Sequence, residues 1–248
     1  LLNKCFILNS VVHNPCFNLH HSDMSLKFNS YPIVNHNGVA IATEMMLVLS
    51  QKVHQQHLNE FNTGKTLNQL LGIVKKIVIN SNGSIFNEKH TLIFVNIERA
   101  SLCDVRGLNQ IRELSILLRH LGGNLVVGLT NANPCKRCPR VLQGLLFLKE
   151  NDILLAANDF NYLAQDFRDS ELKSHLYDFV KLSMPNTDDG MDILVEFIHS
   201  ELVLNGLKVI VEAVEIMDHL KSLDKSRIYG YQGHFVKSKK AKTILAGA

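Results

Sequence analysis

Eight short apolar strand candidates, alternating with helical stripes along a chain of 248 residues, predict an α/β fold: a modified (β/α)8 TIM-like barrel with an antiparallel first strand. Eight is the number of strands that a closed barrel of this kind needs. The length matches the ~250 residues typical of one such barrel. The antiparallel start follows from Asn35-His36-Asn37-Gly38, a hairpin turn by composition, between the first two candidates.

The strand candidates are residues 26–34, 38–47, 91–96, 124–129, 153–157, 178–182, 208–212 and 227–231. Most are short apolar runs, as expected for strands covered on both faces. Between the second and third, Leu67, Leu70, Leu71, Val74 and Ile77 recur at helical offsets and form one apolar stripe. Leu108, Ile111, Leu114, Leu117 and Leu118 form a second stripe before the fourth strand. Ile193, Phe197, Leu202 and Leu204 are assigned to one helix that stops at Asn205-Gly206, a suitable C-terminal cap. No Pro/Gly/Ser-rich linker or long charge run divides the chain, so residues 24–248 are read as one barrel domain. Residues 1–23 are read as an N-terminal lead-in, either helical or added to the native chain.

Composition narrows the function classes. Lys and Arg total 26 against 23 Asp and Glu, a net charge of +3, which is too mild for a nucleic-acid-binding face. Lys237, Lys239, Lys240 and Lys242 read as a solvated tail. No apolar stretch approaches the ~20 residues of a membrane span, and residues 1–8 are too short and too weakly basic for a secretion signal. Cys5, Cys16, Cys103, Cys135 and Cys138 are an odd, scattered set, which favours a reducing compartment over a disulfide framework. A cytoplasmic location is the expectation. Cys135-Lys136-Arg137-Cys138 has metal-knuckle spacing but no second pair, and is read as incidental. His20-His21, and His54 with His57, are read as solvated. Ser101, Cys103 and Asp104 have no base placed beside them.

Four segments place polar groups just past an apolar run: Ala42-Thr43-Glu44-Met45-Met46-Leu47, Phe94-Val95-Asn96-Ile97, Ala157-Asn158-Asp159-Phe160 and Ile210-Val211-Glu212-Ala213-Val214-Glu215. In a barrel of parallel strands that position is the C-terminal mouth, where active sites form. Lys181 in Asp178-Phe179-Val180-Lys181-Leu182-Ser183 and Gln232-Gly233 after the last strand fall at equivalent places. Glu44, Asn96, Asp159, Lys181, Glu212 and Gln232 are therefore expected to converge at one end.

In order and spacing these segments resemble the EAL domain, the bacterial family of phosphodiesterases that cleave the second messenger cyclic di-GMP. Ser30-Tyr31-Pro32-Ile33-Val34 stands for the family's first strand, and Glu44 for the glutamate of its Glu-Ala-Leu-Leu-Arg motif. Met45 and Met46 replace the alanine and leucine, and Val48 replaces the arginine. Asn96 stands for the strand asparagine, and Gly128-Leu129-Thr130-Asn131 for Glu-Ile-Thr-Glu. Asn158-Asp159-Phe160-Asn161 stands for Asp-Asp-Phe-Gly, Ser183 for the aspartate after Lys-Ile, and Glu212-Ala213-Val214-Glu215 for Glu-Gly-Val-Glu. The resemblance runs from about residue 24 to residue 239. Its first two strands are antiparallel, as here.

The resemblance implies two divalent cations, Mg²⁺ or Mn²⁺, that activate water and stabilise charge at phosphorus. Such ions take hard oxygen ligands, chiefly carboxylates. Glu44, Asn96 and Asp159 are kept as a vestigial set, but Gly128 has no ligand atom and Asn158 has lost a charge. Charge terms in a partly buried site run to roughly 4 kcal/mol per contact at ~4 Å, so two dications would be left undercompensated. Val48 cannot grip a phosphate as a guanidinium does. No metal or other cofactor is therefore expected, and Lys181 and Glu212 are expected to be vestigial. The reading is a catalytically inactive EAL-like signalling protein that binds a cytoplasmic regulatory protein, with cyclic di-GMP bound weakly or not at all, no membrane and no direct nucleic acid. The alternatives are a cyclic di-GMP receptor without hydrolysis and a weakly active cyclic di-GMP phosphodiesterase.

Overall fold

The β-branched and aliphatic runs of this chain close into a barrel. The computed structural model of the chain describes residues 27–48, 64–81, 91–130, 138–215, 223 and 227–233. Its strands are β1 (Lys27–Val34), β2 (Ala40–Val48), β3 (Leu92–Glu98), β4 (Asn124–Thr130), β5 (Leu154–Ala157), β6 (Phe179–Ser183), β7 (Lys208–Glu212) and β8 (Ile228–Tyr231). They pair in sequence order into one closed barrel. β1 is antiparallel to both β2 and β8, and every other neighbouring pair is parallel.

The antiparallel pair is joined by the expected turn. The Asn35 carbonyl accepts from Gly38 N–H at 2.9 Å, and the Asn35 side-chain oxygen accepts from the amides of Asn37 and Val39. Gly38 has φ +68°, the left-handed region that a tight hairpin asks of a glycine.

The helices are α1 (Gly64–Ser81), α2 (Val105–His120), α3 (Pro139–Glu150), α4 (Asp169–Lys173), α5 (Asp188–Ile198) and α6 (Glu201–Leu204), with a 3₁₀ turn at Arg99–Cys103. Leu71, Val74 and Val78 of α1 are buried, as are Leu108, Ile111, Leu114 and Leu118 of α2. These stripes cover the outward faces of the strands, where Val95, Ile97, Val127 and Leu129 join the same core. Each fully buried aliphatic side chain contributes roughly 1.5–3 kcal/mol, so this layer is the main source of stability. Asp104 caps α2 by accepting from Arg106 N–H, and Thr187 caps α5 by accepting from Gly190 N–H. Among the described residues no helix is long and apolar enough to cross a membrane.

One helix assignment is corrected. The single helix expected through Ile193 and Leu204 is two, α5 and α6, because Ser200 adopts an extended conformation (φ −66°, ψ 160°) and starts α6 as its N-cap. The core face of α5 is Leu194 and Ile198, whereas Ile193 and Leu204 are exposed. The end at Asn205-Gly206 holds: Gly206 has φ +101°, and the amides of Gly206 and Leu207 donate back to Val203 and Leu202.

A second, smaller cluster fills the barrel interior: Ile33, Ala42, Leu92, Phe94, Val126, Ala156, Phe179 and Ile210. Phe94 and Phe179 meet edge to face, 5.3 Å between centroids. Side chains alternate along a strand, so the inward residue two places after Ala42, Phe94, Val126, Ala156, Phe179 and Ile210 is Glu44, Asn96, Gly128, Asn158, Lys181 and Glu212. The polar mouth thus rests on a dry aromatic floor.

Residues 1–23, His54, His57, Asn131, Cys135 and the lysines at 237–242 lie outside the described residues, as do the side chains of Val48, Leu67, Leu70 and Ile77.

Candidate functional site

Glu44, Asn96, Asp159, Lys181, Glu212 and Gln232 all line one cavity of about 300 Å³ at the C-terminal ends of the strands. Tyr31, Met46, Thr130, Asn158, Ala213 and Gly233 complete its wall. Ser183 is exposed above it, and its carbonyl accepts from the Tyr162 hydroxyl at 2.8 Å.

Glu44 is the centre of the mouth and is 2% exposed. Lys181 Nζ donates to its Oε1 at 2.6 Å, Asn96 Nδ2 donates to the same oxygen at 2.8 Å, and Gln232 Nε2 donates to Oε2 at 2.7 Å. Lys181 also stands 2.6 Å from Glu212 Oε1. One buried cation on β6 thus joins a carboxylate from β2, across the barrel, to one from the neighbouring β7.

The electrostatics follow from that arrangement. Burial pushes Glu44 up, but the Lys181 charge and the three donors outweigh it and hold the carboxyl below its ordinary range. Burial pushes Lys181 down, and the charges of Glu212 and Glu44 overcome it, so the ammonium is retained. Glu212 shifts the other way. Burial raises its pKa and Lys181 does not fully offset it, while Glu44 and Asp159 push in the same direction as burial.

Gly128 fixes the second feature. A Cβ on this residue would lie 2.3 Å from Asn96 Oδ1 and 2.5 Å from Asn158 Nδ2. The missing side chain leaves room for a direct amide pair, in which Asn158 Nδ2 donates to Asn96 Oδ1 at 2.7 Å. Asn158 is 3% exposed, and its Oδ1 accepts no hydrogen bond among the described residues.

This donor set does not match a shell for two divalent cations. Both oxygens of Glu44 are taken by an ammonium and two amides, Gly128 presents no oxygen, and Asn158 gives its Nδ2 to Asn96 and offers only an uncharged Oδ1. Among the described residues no three His, Cys, Asp or Glu side chains are grouped as a metal shell. Asp159 and Glu212 are the other two carboxylates of the mouth.

Two buried arginines were absent from the site expected from sequence. Arg168 is wholly buried and ion-paired with Asp166, 2.8 Å between Nη2 and Oδ2. Its guanidinium also donates to the carbonyls of Asn158 at 2.7 Å, Leu129 at 3.1 Å and Asp159 at 3.1 Å, and it stacks on Phe160 and Phe167. Arg168 therefore holds the Asn158-Asp159 corner, where Asp159 has φ +49°. Arg99, at the start of the 3₁₀ turn, pairs with Glu171 and donates to the Tyr177 hydroxyl at 3.0 Å, tying the end of β3 to α4. The only signal for the first pair is an acid and a base two residues apart in a loop, and the second pair spans 72 positions.

No protein-family model matches the chain, and no curated protein matches it. Solved structures do. The FimX EAL domain of Xanthomonas citri, in complex with cyclic di-GMP, is 17% identical with a TM-score of 0.66, over 85% of this chain and 87% of that one. PaMucR phosphodiesterase, also a cyclic di-GMP complex, is 17% identical with a TM-score of 0.65, over 84% of this chain and 93% of that one. An EAL domain protein from Listeria monocytogenes is 16% identical with a TM-score of 0.63, over 86% of this chain and 87% of that one. The chain has an EAL-like fold.

Proposed function

We propose that this EAL-like barrel is a catalytically inactive signalling protein of the cyclic di-GMP type, acting by binding a cytoplasmic regulatory protein, foremost a transcriptional regulator. The observation that carries the reading is the state of Glu44. A carboxylate that should face a metal is closed off by Lys181, Asn96 and Gln232, while Asn96 and Asn158 fill the space at Gly128. The mouth carries Glu44, Asp159 and Glu212 against Lys181, a formal excess of acid that repels phosphate when no cation intervenes. Its role is then structural, and the working surface lies elsewhere. Val105 and Ile116 on α2 and Leu142 and Leu146 on α3 are exposed apolar side chains consistent with a protein partner.

A second reading is a receptor that binds cyclic di-GMP without hydrolysing it. It is favoured by the fold neighbours solved as complexes with that dinucleotide. Calorimetric titration with cyclic di-GMP, paired with affinity capture from native lysate with and without the nucleotide, separates the two. Specific, nucleotide-independent capture with no measurable heat supports the first reading. Affinity of about 1 μM or tighter with no specific partner moves the assignment to the receptor.

A further inference from the structure

We propose that the mouth, beside the structural role of its Glu44–Lys181 pair, binds a short aliphatic diamine. One ammonium sits at Asp159 and Asn158 Oδ1, the other at Glu212. A cationic ligand here rests on the reading that the cavity repels phosphate.

Every side-chain nitrogen that lines the cavity is already engaged by a neighbour. Lys181 Nζ and the amides of Asn96 and Gln232 donate to Glu44, and Asn158 Nδ2 donates to Asn96. What remains toward the cavity is mainly acceptors. Asn158 is 3% exposed, yet its Oδ1 is buried with no hydrogen bond among the described residues. That oxygen faces the gap at Gly128, 2.9 Å from where a Cβ would stand. The Thr130 hydroxyl oxygen, on the same wall, is likewise buried with no hydrogen bond among the described residues. A buried acceptor without a donor is destabilising. An ammonium, with three N–H groups and no acceptor, supplies what this wall lacks.

Charge points the same way. The lining carries three carboxylates, Glu44, Asp159 and Glu212, against the one ammonium of Lys181, a formal −2. Two ammonium groups neutralise it. A divalent metal ion would find both Glu44 oxygens taken. At Glu212 it would meet Lys181, 2.6 Å from Oε1, with twice the repulsion that a single ammonium meets there.

The shape favours an elongated molecule. Asp159 follows β5 and Glu212 ends β7, with β6 between them, so the two strands stand roughly 10 Å apart. Ala213 and Met46 give the wall apolar surface for a methylene chain, and the cavity of about 300 Å³ is ample for a diamine of this length.

The test is calorimetric titration of the full chain with 1,4-diaminobutane at low ionic strength. 1-Aminobutane, Mg²⁺ and cyclic di-GMP are titrated separately. The expected result is one saturable site for the diamine and binding of the monoamine weaker by at least about tenfold. Asn tolerates the left-handed conformation of position 159 (φ +49°), so Asp159→Asn should keep the circular dichroism spectrum. The same variant should weaken diamine binding by at least about tenfold. No saturable heat at about millimolar diamine, equal affinity for the monoamine, tighter binding of Mg²⁺, or full affinity in Asp159→Asn would overturn the proposal. If cyclic di-GMP also gives no heat, such a failure leaves the mouth closed to phosphate. Heat from cyclic di-GMP without diamine would overturn that reading too.

Discussion

Lys181 and Glu44, 137 positions apart in sequence, meet inside the barrel with 2.6 Å between Nζ and Oε1, and both are almost wholly buried. This pair sits at the centre of the mouth, and Glu212, Asn96 and Gln232 are arranged around it. Removing one partner from a buried ion pair typically costs about 3–5 kcal/mol, because the other charge is left uncompensated. Lys181→Met should lower unfolding stability by about that amount in urea titration. The double variant with Glu44→Gln should recover much of the loss, which separates charge imbalance from loss of packing.

The pH profile should carry two opposite slopes. Glu212 holds its proton more tightly in the folded chain than at its ordinary value of 4.5, so its contribution is complete at low pH and is lost as pH rises through the raised value. Glu44 and Asp166 are shifted down, so their contributions are present above 4.5 and 3.8 and are lost as pH falls through the lowered values. Urea midpoints measured from about pH 3 to pH 8 should show both declines. Glu212→Gln should shrink the alkaline-side decline, and Glu44→Gln the acid-side one.

Gly128 is a packing position. With only 2.3 Å between the place a methyl group would take and Asn96 Oδ1, Gly128→Ala has to break the Asn96–Asn158 amide pair. The expected loss is about 1–3 kcal/mol, the usual cost of overpacking. Unchanged stability would mean that the amide pair moves aside freely.

Ala213 lies in the mouth with φ +56°, in the left-handed region that costs an L side chain roughly 1–2 kcal/mol. Ala213→Gly should therefore raise stability by about 1 kcal/mol, read as an increase in the denaturant midpoint at constant slope.

The barrel and the polar ring were legible because both rest on short-range pattern. Buried parallel strands need apolar runs, and the alternation that points Phe94 and Ile210 inward also points Asn96 and Glu212 inward two residues later. What escaped was set by tertiary contact. Arg168 reads as an ordinary loop charge until its guanidinium is seen holding the carbonyls of Leu129, Asn158 and Asp159. The break between α5 and α6 escaped because Ser200 interrupts an apolar spacing that continues on both sides. The partnership of Asn96 with Asn158 also needed three dimensions, since the absence of a side chain at Gly128 shows only what is missing and not what fills the gap.

If the Glu44 network excludes the metal-assisted hydrolysis that the EAL resemblance implies, the purified chain should leave cyclic di-GMP intact. The most direct measurement is chromatographic detection of linear dinucleotide after incubation with cyclic di-GMP in about millimolar Mn²⁺. Product should stay at the level of a protein-free control. Metal-dependent product above that level, abolished by Glu44→Gln, would contradict the proposed inactivity.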